Sequence, residues 1–429
     1  MSTAPTGTDA LLNPGDAVPT VLVMGTGRRQ FREYALAALA ERALLVAVDL
    51  QVPSWQSRYV EDFATTTPAV TAQLAAGRDL ARQYPVDGVV CLDERFAEAA
   101  AVLAEDLALP GPGSALVRTA QDRLRVRELL NAAGVGVVRA RPATGVRAAE
   151  EAAAELGLPV TVRARHRGAG AAGHRVDRLD EVEQAFLAAV AGAPLGTGAG
   201  VTGRTGEAIV EECLEGPELV VCSTVSAGRV RIWFTARRDG ELTAVRETKS
   251  YVVDATDPLD PEVSDVVVRA HRALGILHGV THLDLVLTAD GPRVTQVGTW
   301  VPGDLLPLIG YMATGADLPT AAVELALGQE VGERILHRRS AGVRFVRPVD
   351  GSGVRDGVLH HAGGTGLTRV VSESETELSA PAGELTPIAV LTATAADGPG
   401  CAAVLHAATE AAAAVPAPAQ GAVPLRAGR

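Results

Sequence analysis

The sequence predicts two fold classes in one chain: an N-terminal α/β part built on a doubly wound parallel sheet, and an α+β part after it. Three observations carry this. An apolar run at 21–24, the turn Gly25-Thr26-Gly27, a helical pattern and a second apolar run ending at Asp49 form a β-Gly-α-β unit, the signature of a parallel sheet with helical crossovers. A third apolar run, Gly88-Val89-Val90-Cys91-Leu92, ends on Asp93-Glu94. Beyond residue 113, helices alternate with apolar runs that meet at strong turn signals, Gly216-Pro217 and Asp290-Gly291.

Taken in order, residues 1–18 read as a flexible tail that lacks the basic start and apolar core of a secretory signal. Strands are expected at 21–24 and 45–48, with a helix over 34–44 between them. Gly25-Thr26-Gly27 falls short of a dinucleotide fingerprint; it reads as a plain tight turn or as a phosphate-binding one. Ligands of such sheets bind beyond the carboxyl ends of the strands. Asp93 and Glu94 therefore read as contacts for an amine or as a helix N-cap with a first-turn acid. Leu109-Pro110-Gly111-Pro112-Gly113 is a connector. Residues 114–133 give one or two helices, 148–155 another, and 158–162 a strand followed by a small-residue loop from Gly168 to Gly173. Val182, Ala185, Phe186 and Val190 share one helix face. Residues 191–206 read as a mobile loop. A strand at 209–213 leaves a sheet, turns at Gly216-Pro217 and returns through Leu219-Val220-Val221. Strands follow at 229–236, 242–245 and on both sides of Asp290-Gly291, with helices over 261–274 and 318–327. Residues 341–414 alternate short β-like runs with turns and close on an alanine-rich helix; 415–429 read as disordered.

Composition excludes several classes. A net charge of −12 with no Lys/Arg block argues against a nucleic-acid partner. No uninterrupted apolar run approaches the roughly 18 residues a membrane span needs. Aromatic residues make up only 3% of the chain, so Val, Leu and Ala must fill the cores. Cys91, Cys213, Cys222 and Cys401 show no paired spacing and lie among apolar neighbours; they read as buried reduced thiols, which suits a cytoplasmic protein.

Three segments together resemble the ATP-grasp superfamily, in its carboxylate–amine ligase form. They are Asp122-Arg123-Leu124-Arg125-Val126-Arg127-Glu128-Leu129-Leu130 with Ala133-Gly134-Val135; Gly157-Leu158-Pro159-Val160 with the loop after it; and Gly279-Val280-Thr281-His282-Leu283-Asp284 through Gly291-Pro292-Arg293 to Pro302-Gly303-Asp304-Leu305-Leu306-Pro307. The resemblance spans about residues 19–412 and implies a two-lobed ATP-grasp fold behind the N-terminal domain. Its implied divisions are an N-terminal domain at 19–112, a small lobe at 113–220, and a C-terminal lobe at 221–414 with an appended β-rich subdomain at about 335–414. It also implies ATP and Mg²⁺ as cofactors, small-molecule carboxylate and amine substrates, and a homodimer.

The resemblance assigns residues as follows. Glu211, Glu212 and Leu214 fall where the hinge meets adenine, and Glu218 where a carboxylate receives the ribose hydroxyls. Lys249 lies where a lysine touches phosphate; the bland alternative is a solvated surface charge. Arg123 and Arg163 stand in place of phosphate-directed lysines, keeping the charge on a longer, planar group. Gly170 and Gly173 belong to a glycine-rich flap whose usual serine is Ala171. The metal pattern is altered: Asp284 is kept, but Gln296, Gly298 and Trp300 stand where glutamate, asparagine and arginine are usual, and Trp300 removes a cation expected to face the acyl substrate. One carboxylate of two remains, enough for a single ion held with phosphates and water.

The histidines are read more simply. His282 shares the strand face of Asp284 and reads as a structural histidine or a stray ligand; the His360-His361 pair lacks a third ligand in sequence. His166, His174, Arg165, Arg167 and Arg175 gather positive charge around the flap, which suits a polyphosphate. The functional expectation is an ATP-dependent amide- or peptide-forming ligase of small-molecule biosynthesis. The rivals are a catalytically degenerate nucleotide- or metabolite-binding homologue, and an enzyme that keeps the pocket without ATP dependence.

Overall fold

In a computed structural model the described residues are 18–166, 173–191, 206–242, 246–332, 335–348, 367–370 and 389–413. The expected tail at 415–429, nearly all of the tail at 1–18, the loop at 192–205, Gly170, Ala171, Arg167 and the His360-His361 pair lie outside them.

The first unit runs β1 (Thr20–Met24), α1 (Arg29–Ala40), β2 (Leu44–Asp49), β3 (Asp62–Thr65), α2 (Val70–Gln83), β4 (Gly88–Cys91) and α3 (Ala97–Asp106). Its four strands are parallel, in the order β3-β2-β1-β4. Every residue of β1 is buried, because a central parallel strand is covered on both faces. Leu22, Met24, Val46 and Val48 pack with Phe96 and Leu103 on one side; Val21, Val23, Leu45 and Ala47 join Leu36 and Leu39 on the other, in a core that continues to the large sheet. The helix expected over 34–44 starts and ends earlier, since Leu44 already belongs to β2. Strand β3 and helix α2 had no clear periodicity to announce them.

Residues 114–133 resolve into two helices, α4 (Ser114–Gln121) and α5 (Arg123–Ala132), divided at Asp122, whose side chain caps α5. A small antiparallel sheet follows, built from β5 (Ala140–Ala143), β6 (Val160–Ala164), β7 (His174–Val176) and β8 (Ala208–Glu212) in the order β5-β8-β6-β7. Helices α6 (Val146–Leu156) and α7 (Val182–Ala191) cover the face carrying Val160, Val162, Ala208 and Val210. Side chains alternate along a strand, so Thr161, Arg163, Ile209 and Glu211 point to the other face.

The large sheet has eight strands in the order β13-β12-β9-β10-β11-β14-β16-β15. Its members are β9 (Glu218–Ser226), β10 (Arg229–Leu242), β11 (Arg246–Asp254), β12 (Gly279–Thr288), β13 (Gly291–Gly298), β14 (Ser340–Pro348), β15 (Leu367–Val370) and β16 (Ala389–Ala395). Helix α8 (Pro261–Leu274) has its expected bounds because its ends are marked chemically. Asp260 caps the first turn, Pro261 opens it, and Gly275 takes the left-handed conformation that closes it. Helices α9 (Leu306–Thr314), α10 (Leu318–Ala326) and α11 (Gly398–Ala413) complete the chain.

Three expectations are corrected here. The strand at 209–213 does not return to its sheet: β8 belongs to the small sheet and β9 to the large one, so residues 213–217 carry the chain from one sheet to the other. A division at 220/221 would therefore cut β9. The segments expected as an appended subdomain instead extend the large sheet, with β14 paired along β11 from Arg246↔Pro348 to Asp254↔Ser340.

Candidate functional site

The crossing between the sheets depends on Gly216, which has φ +149; a Cβ there would fall on the Leu287 carbonyl oxygen of β12. Gly216→Ala is expected to destabilise the protein by about 1–3 kcal/mol, measured as a lower denaturation midpoint. Wild-type stability in that variant would mean that the crossing has room for a side chain. Beside this turn, Glu212 is held by Arg139 through a backbone N–H at 2.8 Å and the guanidinium at 2.9 Å. Half-buried Leu214 follows two residues later.

Register puts the acidic and basic candidates of the large sheet on one face. Glu218 on β9 stands opposite Arg238 on β10 and Val286 on β12. Arg238 stands opposite Tyr251 on β11, with Lys249 two residues from Tyr251 on the same face. Asp284 on β12 stands opposite Gln296 on β13. Facing residues of an antiparallel pair have Cβ atoms about 4.5–5.5 Å apart, so Asp284 and Gln296 are neighbours.

The charges on this face are mutually arranged. Arg238 pairs with Glu218 at 2.8 Å. Burial alone would lower its pKa, but Tyr251, Glu218, Asp284 and Asp304 around it outweigh that and raise it. Lys249 Nζ lies 2.6 Å from Asp304 Oδ2, and the Tyr251 hydroxyl donates to the same oxygen at 3.0 Å. The Lys249 ammonium also lies 5.1 Å from the Tyr251 ring centroid. Burial, then Asp304, pushes the Tyr251 phenol well above its ordinary value, so it stays protonated. Lys249 is thus not a solvated surface charge: it sits within β11, ion-paired.

The small sheet contributes Arg163 and Glu211. Glu211 is buried and paired with Arg127 of α5 at 2.8 Å; Arg127 also donates to the Val294 carbonyl of β13 at 3.0 Å. This one side chain connects α5, the small sheet and the large sheet. A cleft lined by Arg123, Arg127, Glu211, Thr295 and Gln296 runs through the same place. Arg163 shares the Glu211 face of the small sheet. Its side-chain Nε is buried without a hydrogen-bond partner among the described residues. Gly173, at the head of β7, is close beneath it: a Cβ there would come 2.6 Å from Arg163 Nε.

Several predicted residues have other duties. Arg123 is buried, with its guanidinium donating to the carbonyls of Ala164 at 2.7 Å and His166 at 3.4 Å, so it secures the end of β6. Two arginines of the predicted positive cluster are neutralised locally: Arg165 pairs with Asp122 and Glu207, and Arg175 with Asp177 and Glu215. Trp300 is buried against Ala97, Ala101 and Val117. Cys213 is not in apolar surroundings either, since Arg175 reaches its Sγ at 3.5 Å.

The open alternatives in the N-terminal unit resolve toward structure. The Thr26 N–H donates to the Asp49 carboxylate at 2.7 Å and the Gly27 N–H at 3.3 Å, so an acid already fills the place a phosphate would need. Asp93 accepts from the Arg95 N–H at 2.9 Å and from the Arg95 guanidinium, which makes it a cap.

His282 is buried, and its ring meets Trp300 edge to face with centroids 4.8 Å apart. A Cβ built on Gly298 would fall on that imidazole. The space that a longer side chain at 298 would use is therefore occupied by His282. Among the described residues no group of three or more His, Cys, Asp or Glu side chains is arranged to hold a metal ion by itself.

Sequence reasoning did not single out Arg127, Arg238, Tyr251 or Asp304. Arg127 was signalled by its place one turn beyond Arg123. Tyr251 follows Lys249 at strand spacing, and Asp304 follows the Pro302-Gly303 pair. Arg238 had no local signal, because its partners come from three other strands.

No family model matches the chain. It is 27% identical over 347 residues to the uncharacterized protein y4rH of Sinorhizobium fredii (strain NBRC 101917 / NGR234), covering 80% of this chain and 70% of that one. It is 28% identical over 245 residues to a D-alanine–D-alanine ligase of Desulforudis audaxviator (strain MP104C), covering 53% of this chain and 76% of that one. Among solved structures, an L-amino acid ligase from Bacillus licheniformis superposes with a TM-score of 0.72 at 18% identity, over 91% of this chain and 97% of that one. An ADP complex of N5-carboxyaminoimidazole ribonucleotide synthetase gives 0.67 at 16% identity, over 92% and 98%. The chain shares the fold of these ligases, and its partial sequence likeness to D-alanine–D-alanine ligases points to the ATP-grasp superfamily. Among the described residues no helix is long and apolar enough to cross a membrane.

Proposed function

We propose that this protein is an ATP-dependent carboxylate–amine ligase that works through an acylphosphate. The observation that carries the reading is the shared face of the large sheet: Glu218, Lys249, Asp284 and Gln296 occupy it together, and Arg163 projects from the small sheet on the side where Arg127 joins the two. Its likeness to an L-amino acid ligase and a D-alanine–D-alanine ligase supports the same class.

The chemistry requires such a face. A carboxylate is a poor acyl donor until phosphorylation supplies a leaving group. Transfer of the γ-phosphate crowds negative charge that fixed cations must offset in a site shielded from water. Leu214 and the Glu211-Glu212 backbone take the adenine, and Glu218 the ribose hydroxyls, exchanging Arg238 for them. Lys249 and Arg163 meet the phosphates.

Asp284 and Gln296, side by side with hard oxygen donors, fit one Mg²⁺ shared with phosphate oxygens and water, and the imidazole over Gly298 leaves no place for a further ligand from 298. Such an ion would neutralise phosphate charge. The second reading, a nucleotide-binding homologue without turnover, is favoured by that same reduced ligand set.

A calorimetric titration with ATP, run with and without Mg²⁺, tests the proposal. Tight binding that requires Mg²⁺, and that weakens in Asp284→Asn until Mg²⁺ no longer strengthens it, is the expected result. Binding indifferent to Mg²⁺ in the wild type would favour the non-catalytic homologue, and absence of binding would remove both readings.

A further inference from the structure

Asp304 has no assigned part in the preceding scheme, yet it is the most elaborately held carboxylate on the site face. It takes φ +54 and the next residue, Leu305, takes φ +59, left-handed conformations that non-glycine residues rarely adopt. Such backbone persists only where the surroundings over-determine it. The surroundings here are specific. Arg32, buried in α1, donates to the Pro302 carbonyl at 2.8 Å and the Val301 carbonyl at 3.1 Å, and the Leu306 N–H closes the turn onto Gly303 at 3.0 Å. The N-terminal unit thus fixes the loop that aims Asp304 at β11.

What Asp304 holds is informative. Its Oδ2 binds an alkylammonium, Lys249 Nζ at 2.6 Å, and a phenol hydroxyl, Tyr251 at 3.0 Å. Its side chain remains 43% exposed, so a solute can reach it. Lys249 is the lysine proposed above to meet the phosphates. A triphosphate that draws Lys249 away leaves a carboxylate and a hydroxyl already arranged around the place of a primary ammonium, next to the group that grips the phosphate.

We propose that Asp304 binds the incoming amine substrate as its ammonium and acts as the general base of the ligation step, with Lys249 holding that place until nucleotide arrives. This inference rests on the ligase reading. The ammonium gives one proton to the Asp304 carboxylate. The freed nitrogen lone pair attacks the acylphosphate carbon and the C–N bond forms. The C–O bond to phosphate breaks, its electron pair leaves with phosphate, and the second amine proton goes to that phosphate. Tyr251, kept protonated, donates to the carboxylate and orients it.

The test separates nucleophiles by their need for a base. The full chain is supplied with ATP, Mg²⁺ and the proteinogenic L-amino acids as both acid and amine, or with the same acids and hydroxylamine, which is already unprotonated at neutral pH. Phosphate release and amide or hydroxamate formation are measured. Asp304→Asn is expected to lower turnover with amino-acid nucleophiles by about 10²–10⁴-fold, the usual range for a lost general base, but hydroxamate formation by less than tenfold. Asp304→Glu should recover part of the loss, and calorimetric ATP binding by each variant checks that it is folded. Equal losses with both nucleophiles would overturn the role of Asp304 and leave the ligase reading standing. A wild-type protein that forms product with neither nucleophile would overturn the ligase reading itself, and this inference with it.

Discussion

Replacing Arg127 with methionine is expected to destabilise the protein by about 3–5 kcal/mol, because it leaves a carboxylate buried without its partner. Arg127 and Glu211 are paired at 2.8 Å with side chains only 5% and 8% exposed. Water cannot take over the interaction at that depth. Arg127 also donates to the Val294 carbonyl, so its loss frees a second buried acceptor and detaches the small sheet from β13. The measurement is equilibrium denaturation of Arg127→Met and of the double variant Arg127→Met/Glu211→Gln. The double variant should recover much of the loss, since the uncompensated charge is gone. If both variants are as stable as the wild type, the ion pair does not join the two sheets.

The second large effect concerns the altered metal pattern. Introducing the asparagine of the resembled pattern by Gly298→Asn alone is expected to harm the protein by about 1–3 kcal/mol, the usual range for overpacking a filled site. The new Cβ falls on the His282 imidazole, which Trp300 holds edge to face. The substitution should therefore not strengthen Mg²⁺-dependent nucleotide binding. Adding His282→Ala makes room, so the double variant should be more stable than the sum of the single effects, with a coupling of about 0.5–3 kcal/mol. A double-mutant cycle read by chemical denaturation measures it. Strict additivity would show that positions 282 and 298 do not compete for the same space. The coupling gives a physical reason why Gly298 and Trp300 occur together: the buried His282, held by Trp300, fills the space an asparagine at 298 would require.

Much of the fold was legible in the sequence wherever local chemistry decides structure. Helix α8 was readable to the residue because Asp260, Pro261 and Gly275 mark its ends. Strands β1 and β2 were readable because a buried parallel strand must be apolar throughout. Asp290-Gly291 located the β12–β13 hairpin because few residues suit so tight a turn. Strand β3 and helix α2 were missed because neither shows a clean apolar period.

The candidate site was legible in part. Glu218, Lys249, Asp284 and Gln296 could be singled out by segment resemblance, whereas Arg238, Tyr251 and Asp304 could not. Their relevance comes from register across β9, β10 and β11 and from a loop fixed by Arg32 some 270 positions earlier in the chain. Charge carried by a residue type says nothing about where that charge is satisfied. Arg123, Arg165 and Arg175 looked like phosphate ligands in sequence, yet carbonyls hold the first and carboxylates the other two, while Arg163 keeps a buried Nε without a hydrogen-bond partner among the described residues.

The sequence by itself determined strands β1 and β2, helix α8, the β12–β13 hairpin, the superfamily likeness and the small number of acids in the segment that resembles a metal-binding pattern, because these depend on residue type and short spacing. Only the tertiary structure decided that residues 213–217 cross between sheets, that His282 fills the space above Gly298, and that Asp304 meets Lys249 and Tyr251. Each of those facts is a contact between residues distant in sequence, where packing and register, rather than local propensity, fix what a side chain can touch.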